Sequence, residues 1–146
     1  MVKQKSSPKN FFAAAEKQQI VRAIGDAEQK TSGEIRVFLE RRGKDDTLGR
    51  AQEIFEKLGM TKTRRRNGVL IYLSLLDRQF AVLGDQGIYD KTGGGFWKDV
   101  VSLMKDSFAR GDFAAGLEAG IQKIGEKLKV HFPRDEGDVN ELPNEV

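Results

Sequence analysis

Val69-Leu70-Ile71-Tyr72-Leu73 is the stretch that decides the fold. An apolar run of this length without polar alternation suits a strand covered on both faces, as at the centre of a sheet with helices on either side. Asn67-Gly68 launches it. A hairpin turn there would need a strand on each side, and the basic connector Lys62–Arg66 is not strand-like. Downstream, Leu76-Asp77-Arg78 turns the chain tightly into Gln79-Phe80-Ala81-Val82-Leu83, which is expected to pair antiparallel with the central run. Upstream, Glu34-Ile35-Arg36-Val37-Phe38-Leu39 alternates, with Ile35, Val37 and Leu39 on one face, as a half-buried strand requires. The polar loop Arg41-Arg42-Gly43-Lys44-Asp45-Asp46 follows it. Thr47 then serves as the expected cap of a helix carrying Ala51, Ile54, Phe55 and Leu58 on one stripe and ending at Gly59. A strand, helix and strand in this order make the first two strands parallel through a right-handed crossover, so the sheet is mixed.

Further out, Ile20, Val21, Ile24 and Ala27 recur at helical spacing and predict a first helix over about Asn10–Lys30, with Asn10 as cap and Gly33 beyond its end. Gly84 to Gly95 is turn-rich. Gly93-Gly94-Gly95 leads into a helix with Trp97, Val100, Val101, Met104 and Phe108 inward, ended by Gly111. Asp112 is the expected cap of a last helix bearing Phe113, Leu117, Ile121, Ile124 and Leu128. Gly116 and Gly120, four apart, form a small-residue ledge for close packing against a neighbour. The expected fold is an α/β sandwich, a small mixed sheet flanked by about four helices. Residues 1–133 form one domain and 134–146 an acidic tail.

The 146 residues contain no cysteine and one histidine, His131. Disulfides, thiolate nucleophiles, Cys-based zinc sites and multi-His centres are therefore excluded, leaving oxygen ligands, amides, Lys/Arg and backbone, a set suited to Ca²⁺, Mg²⁺ and phosphate. His131 stands just past the last helix without a matched partner and reads as a structural or exposed residue. The formal charge is +3, but residues 134–146 hold one arginine against five acids, a net −4, so the body is +7. The basic groups Arg41-Arg42-Lys44 and Lys62-Arg64-Arg65-Arg66 fall at opposite ends of strands about 20 Å long and make two patches, not a nucleic-acid stripe. Gly43-Lys44 is followed by Asp45 and not Ser or Thr, and Gly84-x-x-Gly87 is too short for a dinucleotide loop. The apolar stretches after Asn10 and at Val69–Leu76 are too short for an export signal or a membrane span, so a cytoplasmic protein without a membrane segment is expected.

Glu28-Gln29-Lys30-Thr31-Ser32-Gly33-Glu34-Ile35, Arg66-Asn67-Gly68-Val69-Leu70-Ile71, Gly84-Asp85-Gln86-Gly87-Ile88 and Phe108-Ala109-Arg110-Gly111-Asp112-Phe113-Ala114-Ala115-Gly116-Leu117 follow the order of motifs in the TPM domain family, which the chain resembles from about Asn10 to Leu128. The family takes its name from a thylakoid-lumen phosphatase, a photosystem II repair protein and a modulator of acetylcholine-gated channels. The resemblance implies a Rossmann-like three-layer α/β sandwich without a nucleotide fingerprint. It also implies binding of divalent cations, Ca²⁺ ahead of Mg²⁺, and in some members acid phosphatase activity. Many relatives are exported and membrane-anchored, and neither an export signal nor an anchor is expected from this sequence. The family's usual glutamate after the glycine turn is replaced by Ile88, which leaves Asp85 as the acid of that turn.

With two parallel strands and a third running back, the starts of the first two and the end of the third share an edge. The matched motifs converge there. Glu34, Asp85 and Asn67 are the expected cation ligands, and Thr31, Ser32, Arg66 and Gly84 the expected ligand-binding residues, with Arg66 suited to a phosphorylated substrate. The plainer reading makes these residues turn chemistry. Glu40, Asp45, Asp46 and Asp77 follow strand ends at the opposite edge, the usual ligand side of open α/β sheets, though Asp45 and Asp46 also suit the positive end of the following helix. No general base is identified beside Ser32 or Thr31, so no catalytic residue is assigned. Two functions are expected from this set: a cation-dependent phosphomonoesterase, or a non-catalytic, cation-stabilised adaptor that engages a protein partner through a groove or the Asn140-Glu141-Leu142-Pro143 tail.

Overall fold

The computed structural model describes residues 10–43 and 45–134. Three strands, β1 (Glu34–Glu40), β2 (Gly68–Ser74) and β3 (Gln79–Gly84), form one sheet in the order β1-β2-β3. β1 runs parallel to β2, with Glu34 opposite Gly68 and Glu40 opposite Ser74. β3 returns antiparallel, with Ser74 opposite Gln79 and Val69 opposite Gly84. Helix α1 (Ala14–Glu28) precedes the sheet, α2 (Thr47–Lys57) connects β1 to β2, and α3 (Gln86–Thr92), α4 (Lys98–Ala109) and α5 (Phe113–His131) follow it.

All of β2 is buried, as an uninterrupted apolar strand at the middle of three layers should be. Val69, Ile71 and Leu73 join Ile35, Val37 and Leu39 of β1 on one face and pack against Ile20 and Ile24 of α1, Met104 of α4 and Leu117, Ile121 and Leu128 of α5. Leu70 and Tyr72 point the other way and meet Ala51, Ile54 and Phe55 of α2 together with Met60. Each large side chain buried in this way contributes roughly 1.5–3 kcal/mol. The small second layer formed by α2 is what makes the sheet a sandwich.

Several boundaries differ from the sequence expectation for local reasons. α1 begins at Ala14, not near Asn10, because the Glu16 side chain turns back to accept the Ala13 N–H at 2.9 Å. Asp46 instead of Thr47 caps α2, taking the Gly49 N–H at 3.1 Å. Asp112 occupies the cap position of α5 but makes no capping bond and lies 3.8 Å from Arg110. The segment after β3, read as turn-rich, contains the short fifth helix α3, which starts with the Asp85 carboxylate at its first amide. His131 is the last residue of α5, its ring edge-on to Phe96 with centroids 5.5 Å apart. The tail at 135–146 lies outside the described residues.

The glycine ledge on α5 is a packing feature, as expected. A Cβ on Gly116 would sit 2.8 Å from both the Phe108 ring and Ser107 Cβ, and one on Gly120 2.6 Å from Met104 Sδ. Gly25 in α1 has open space around it. The same substitution should therefore have opposite signs: Gly25→Ala raises stability by about 0.5–1 kcal/mol through helix propensity, and Gly116→Ala lowers it by about 1–3 kcal/mol through overpacking. Urea midpoints of the two variants check this.

Candidate functional site

The strand directions carry the loops before β1 and β2 and the loop after β3 to one pole of the sheet. The sequence-predicted residues Thr31, Ser32, Glu34, Arg66, Asn67, Gly84 and Asp85 therefore come together. Polarity is concentrated here. Six of the eight buried polar or charged residues among those described, Glu28, Thr31, Glu34, Thr63, Asn67 and Asp85, come from the segments that end at this pole.

Asp85 is 5% exposed and is held from two sides. Its Oδ1 accepts the Gln86 N–H at 2.7 Å, which starts α3, and the Arg66 guanidinium forks onto it with Nε 2.7 Å from Oδ2 and Nη2 2.8 Å from Oδ1. This planar two-bond geometry is the strong form of an ion pair. The Arg66 side chain itself is half exposed, and its pairing with Asp85 raises the guanidinium pKa. To reach the carboxylate, Arg66 takes a left-handed backbone (φ 52°), a conformation that costs a non-glycine residue about 1–2 kcal/mol. Its carbonyl is fixed in turn by the Gly87 N–H at 2.8 Å. A Cβ at Gly87 would collide with the Arg65 carbonyl and lie 2.6 Å from that of Arg66, so only glycine lets α3 seat so closely on this loop.

Ser32 Oγ accepts hydrogen bonds from Asn67 Nδ2 at 3.2 Å and from Arg65 Nη1 at 3.3 Å. Asn67 is buried, and its backbone N–H donates to the Thr63 hydroxyl at 3.2 Å. Thr31 is engaged structurally: its hydroxyl donates to the Phe132 carbonyl and accepts the Gly33 N–H at 3.0 Å, strapping the end of α5 to the loop before β1. Gly84 gives room to Trp97, whose Nε1 would stand 3.1 Å from a Cβ there. Two further contributors escaped the sequence reading. Glu28 is buried and accepts the Ile35 N–H at 2.9 Å, and its place four residues after Ile24 on the inward stripe of α1 was the available signal. Arg65 carried none, since nothing in Lys62–Arg66 separates one arginine from the next. The pole thus offers three buried carboxylates, Glu28, Glu34 and Asp85, an amide oxygen and a hydroxyl next to two guanidinium groups.

At the other pole the acids have protein partners. Glu40 accepts from Arg50 through both carboxylate oxygens, with Nε at 3.0 Å, and also from the Tyr72 hydroxyl. Asp46 caps α2 in place of the expected Thr47, at the positive helix end that its charge was expected to favour, and Asp77 takes the Ser74 hydroxyl at 2.6 Å and the Gly43 N–H at 2.9 Å. The Arg50 contact holds the Glu40 carboxyl below its ordinary 4.5, and burial with the Glu40 contact pushes the Tyr72 hydroxyl up to about 12. A depressed folded-state pKa means that the unfolded chain binds the proton first. Glu40 therefore stabilises the fold above about pH 4.5, and its contribution is lost as the pH falls below that value. Arg50→Ala should cost about 1–2 kcal/mol at pH 7, between the exposed and buried limits for such pairs, and should flatten the loss of stability between about pH 5 and 3. Urea unfolding of both proteins across that range measures the difference.

Among the described residues no helix is long and apolar enough to cross a membrane. No curated protein matches the chain. Among solved structures, the NMR structure of BA42 protein from the psychrophilic bacterium Bizionia argentinensis superposes with a TM-score of 0.90 at 42% identity, covering 97% of each chain. The N-terminal domain of a protein from P. gingivalis, also solved by NMR, gives a TM-score of 0.64 at 15% identity over 86% of this chain and 82% of its own, a likeness of fold alone. The family model for the TPM domain matches residues 6–127, and the chain belongs to the TPM domain family.

Proposed function

We propose that the chain is a divalent-cation-binding domain whose site is the pole at Glu34, Asn67 and Asp85, and that phosphomonoester hydrolysis is the activity this site supports. The observation that carries the reading is the burial of Asp85 and Glu34 at one end of the sheet, where three loops distant in sequence meet. The donor set is of the hard-oxygen kind that Ca²⁺ accepts. No three acidic or histidine side chains cluster as a metal site among the described residues, so a cation here relies on two carboxylates plus neutral oxygens such as Asn67 Oδ1. Arg66 is the resident counter-ion of Asp85, and an arriving cation replaces it. A released guanidinium at the mouth of the site suits a phosphoryl group, which it binds through two hydrogen bonds. A divalent ion held there supplies polarisation of a phosphoryl oxygen.

One observation favours a second reading, a cation-stabilised adaptor without catalysis. Ser32 receives its hydrogen bonds from Asn67 and Arg65, which are donors, and the Thr31 hydroxyl is spent on the Phe132 carbonyl. Among the described residues neither hydroxyl is hydrogen-bonded to a side-chain base that would activate it.

Calorimetric titration with CaCl₂ and MgCl₂, paired with turnover of p-nitrophenyl phosphate, tests both readings. Asp85→Asn keeps the helix cap and removes the charge. It should weaken Ca²⁺ binding at least tenfold and abolish cation-dependent turnover, whereas Glu40→Gln at the other pole leaves Ca²⁺ affinity unchanged. Binding that Asp85→Asn weakens, without turnover in either protein, selects the adaptor. Binding unaffected by Asp85→Asn and by Glu34→Gln contradicts the site.

A further inference from the structure

At the pole opposite Asp85, where the parallel strands end, a cleft of about 720 Å³ opens between the sheet and α4. Its size is within the range of small-molecule sites, and it opens at the carboxyl end of β2, the end of the strands at which open α/β sheets usually bind ligands. Leu73 and Leu75 form part of its lining. Four phenylalanines make up a continuous aromatic wall: Phe80 meets Phe108 edge-on at 5.0 Å, Phe108 stacks on Phe113 at 5.3 Å, and Phe113 meets Phe11 edge-on at 5.3 Å.

The same cleft includes two exposed cations, Arg78 and Lys105. Neither has an ion-pair partner among the described residues. The acids nearest in sequence to the turn and to the start of α5 are drawn elsewhere, Asp77 onto Ser74 and Gly43, and Asp112 towards Arg110. An apolar wall beside two exposed positive charges that form no ion pair among the described residues is complementary to a molecule with a hydrocarbon body and one negative end.

We propose that this cleft binds an amphipathic carboxylate, with its hydrocarbon chain along Phe11, Phe80, Phe108 and Phe113 and its carboxylate held by Arg78 and Lys105. The guanidinium of Arg78 matches the two oxygens of a carboxylate, and Lys105 adds a point charge. The site is independent of the cation pole, which lies at the other end of the strands.

A ¹H–¹⁵N NMR titration of the full chain with sodium decanoate tests the proposal. Saturable shifts confined to residues 73–80, 101–113 and Phe11 are expected. Octanoate should bind about tenfold more weakly, since each buried methylene is worth up to about fourfold in affinity. Decanol and decyltrimethylammonium, which share the chain and lack the negative charge, should bind at least tenfold more weakly than decanoate. The double variant Arg78→Gln/Lys105→Gln alters only exposed side chains, and it should lose at least tenfold in decanoate affinity while its Ca²⁺ titration stays as in the wild type. Shifts that do not saturate or that scatter over the surface overturn the proposal. So does equal binding of decanol or decyltrimethylammonium, or a double variant that binds decanoate unchanged.

Discussion

The central strand governs this molecule. β2 is hydrogen-bonded on both sides and covered on both faces, so its seven residues leave no surface for anything but core, and all chemistry is pushed to the two ends of the sheet. The two ends are unlike because of the strand directions. A parallel partner on one side and an antiparallel partner on the other put two strand starts and one strand end at the Asp85 pole, and the reverse at the Glu40 pole. α2 closes one face and α1, α4 and α5 the other, while the short α3 sits against the loop at the Asp85 pole.

The ion pair between Arg66 and Asp85 sets the character of the first pole. It joins the loop before β2 to the start of α3, and the left-handed backbone of Arg66 is held in place by that fork and by the Gly87 amide. A buried carboxylate needs such a partner, because an uncompensated charge at 5% exposure is expensive. In the proposed function the partner is exchangeable. Arg66 is half exposed and can leave, while Asp85 cannot, which makes the arginine the mobile member of the pair. At the second pole, by contrast, Glu40 is tied to Arg50 and Tyr72, and Asp77 to Ser74 and Gly43, so these acids belong to the scaffold.

Most of the architecture was legible because period and length are strong signals. The unbroken run at 69–73 required a strand covered on both sides, the alternation at 34–39 required a neighbour with one polar face, and the short turn at 76–78 required β3 to run back. Those three readings suffice to bring Glu34, Asn67 and Asp85 together. The misses share a cause, competition between side chains for the same amide. Glu16 captures the Ala13 N–H and Asp46 that of Gly49, shifting two helix starts, and Asp85 captures that of Gln86, where α3 starts in a segment read as turn-rich. Which oxygen wins depends on backbone angles that the sequence does not print. The detail of the site was less legible for the same reason. Thr31 was grouped with the ligand-binding residues, and its hydroxyl is committed to the Phe132 carbonyl more than a hundred residues away in sequence, a contact that no local pattern signals.

The central claim is that loops far apart in the chain build one cation site at the start of β1 and β2. The most direct measurement is a Ca²⁺ titration followed by amide chemical shifts along the whole chain. The account predicts saturable shifts at Ser32–Glu34, Asn67–Gly68 and Asp85–Gly87, moving together with a single affinity. Shifts concentrated instead at Glu40, Asp46 and Asp77, or three loops responding with separate affinities, would contradict it.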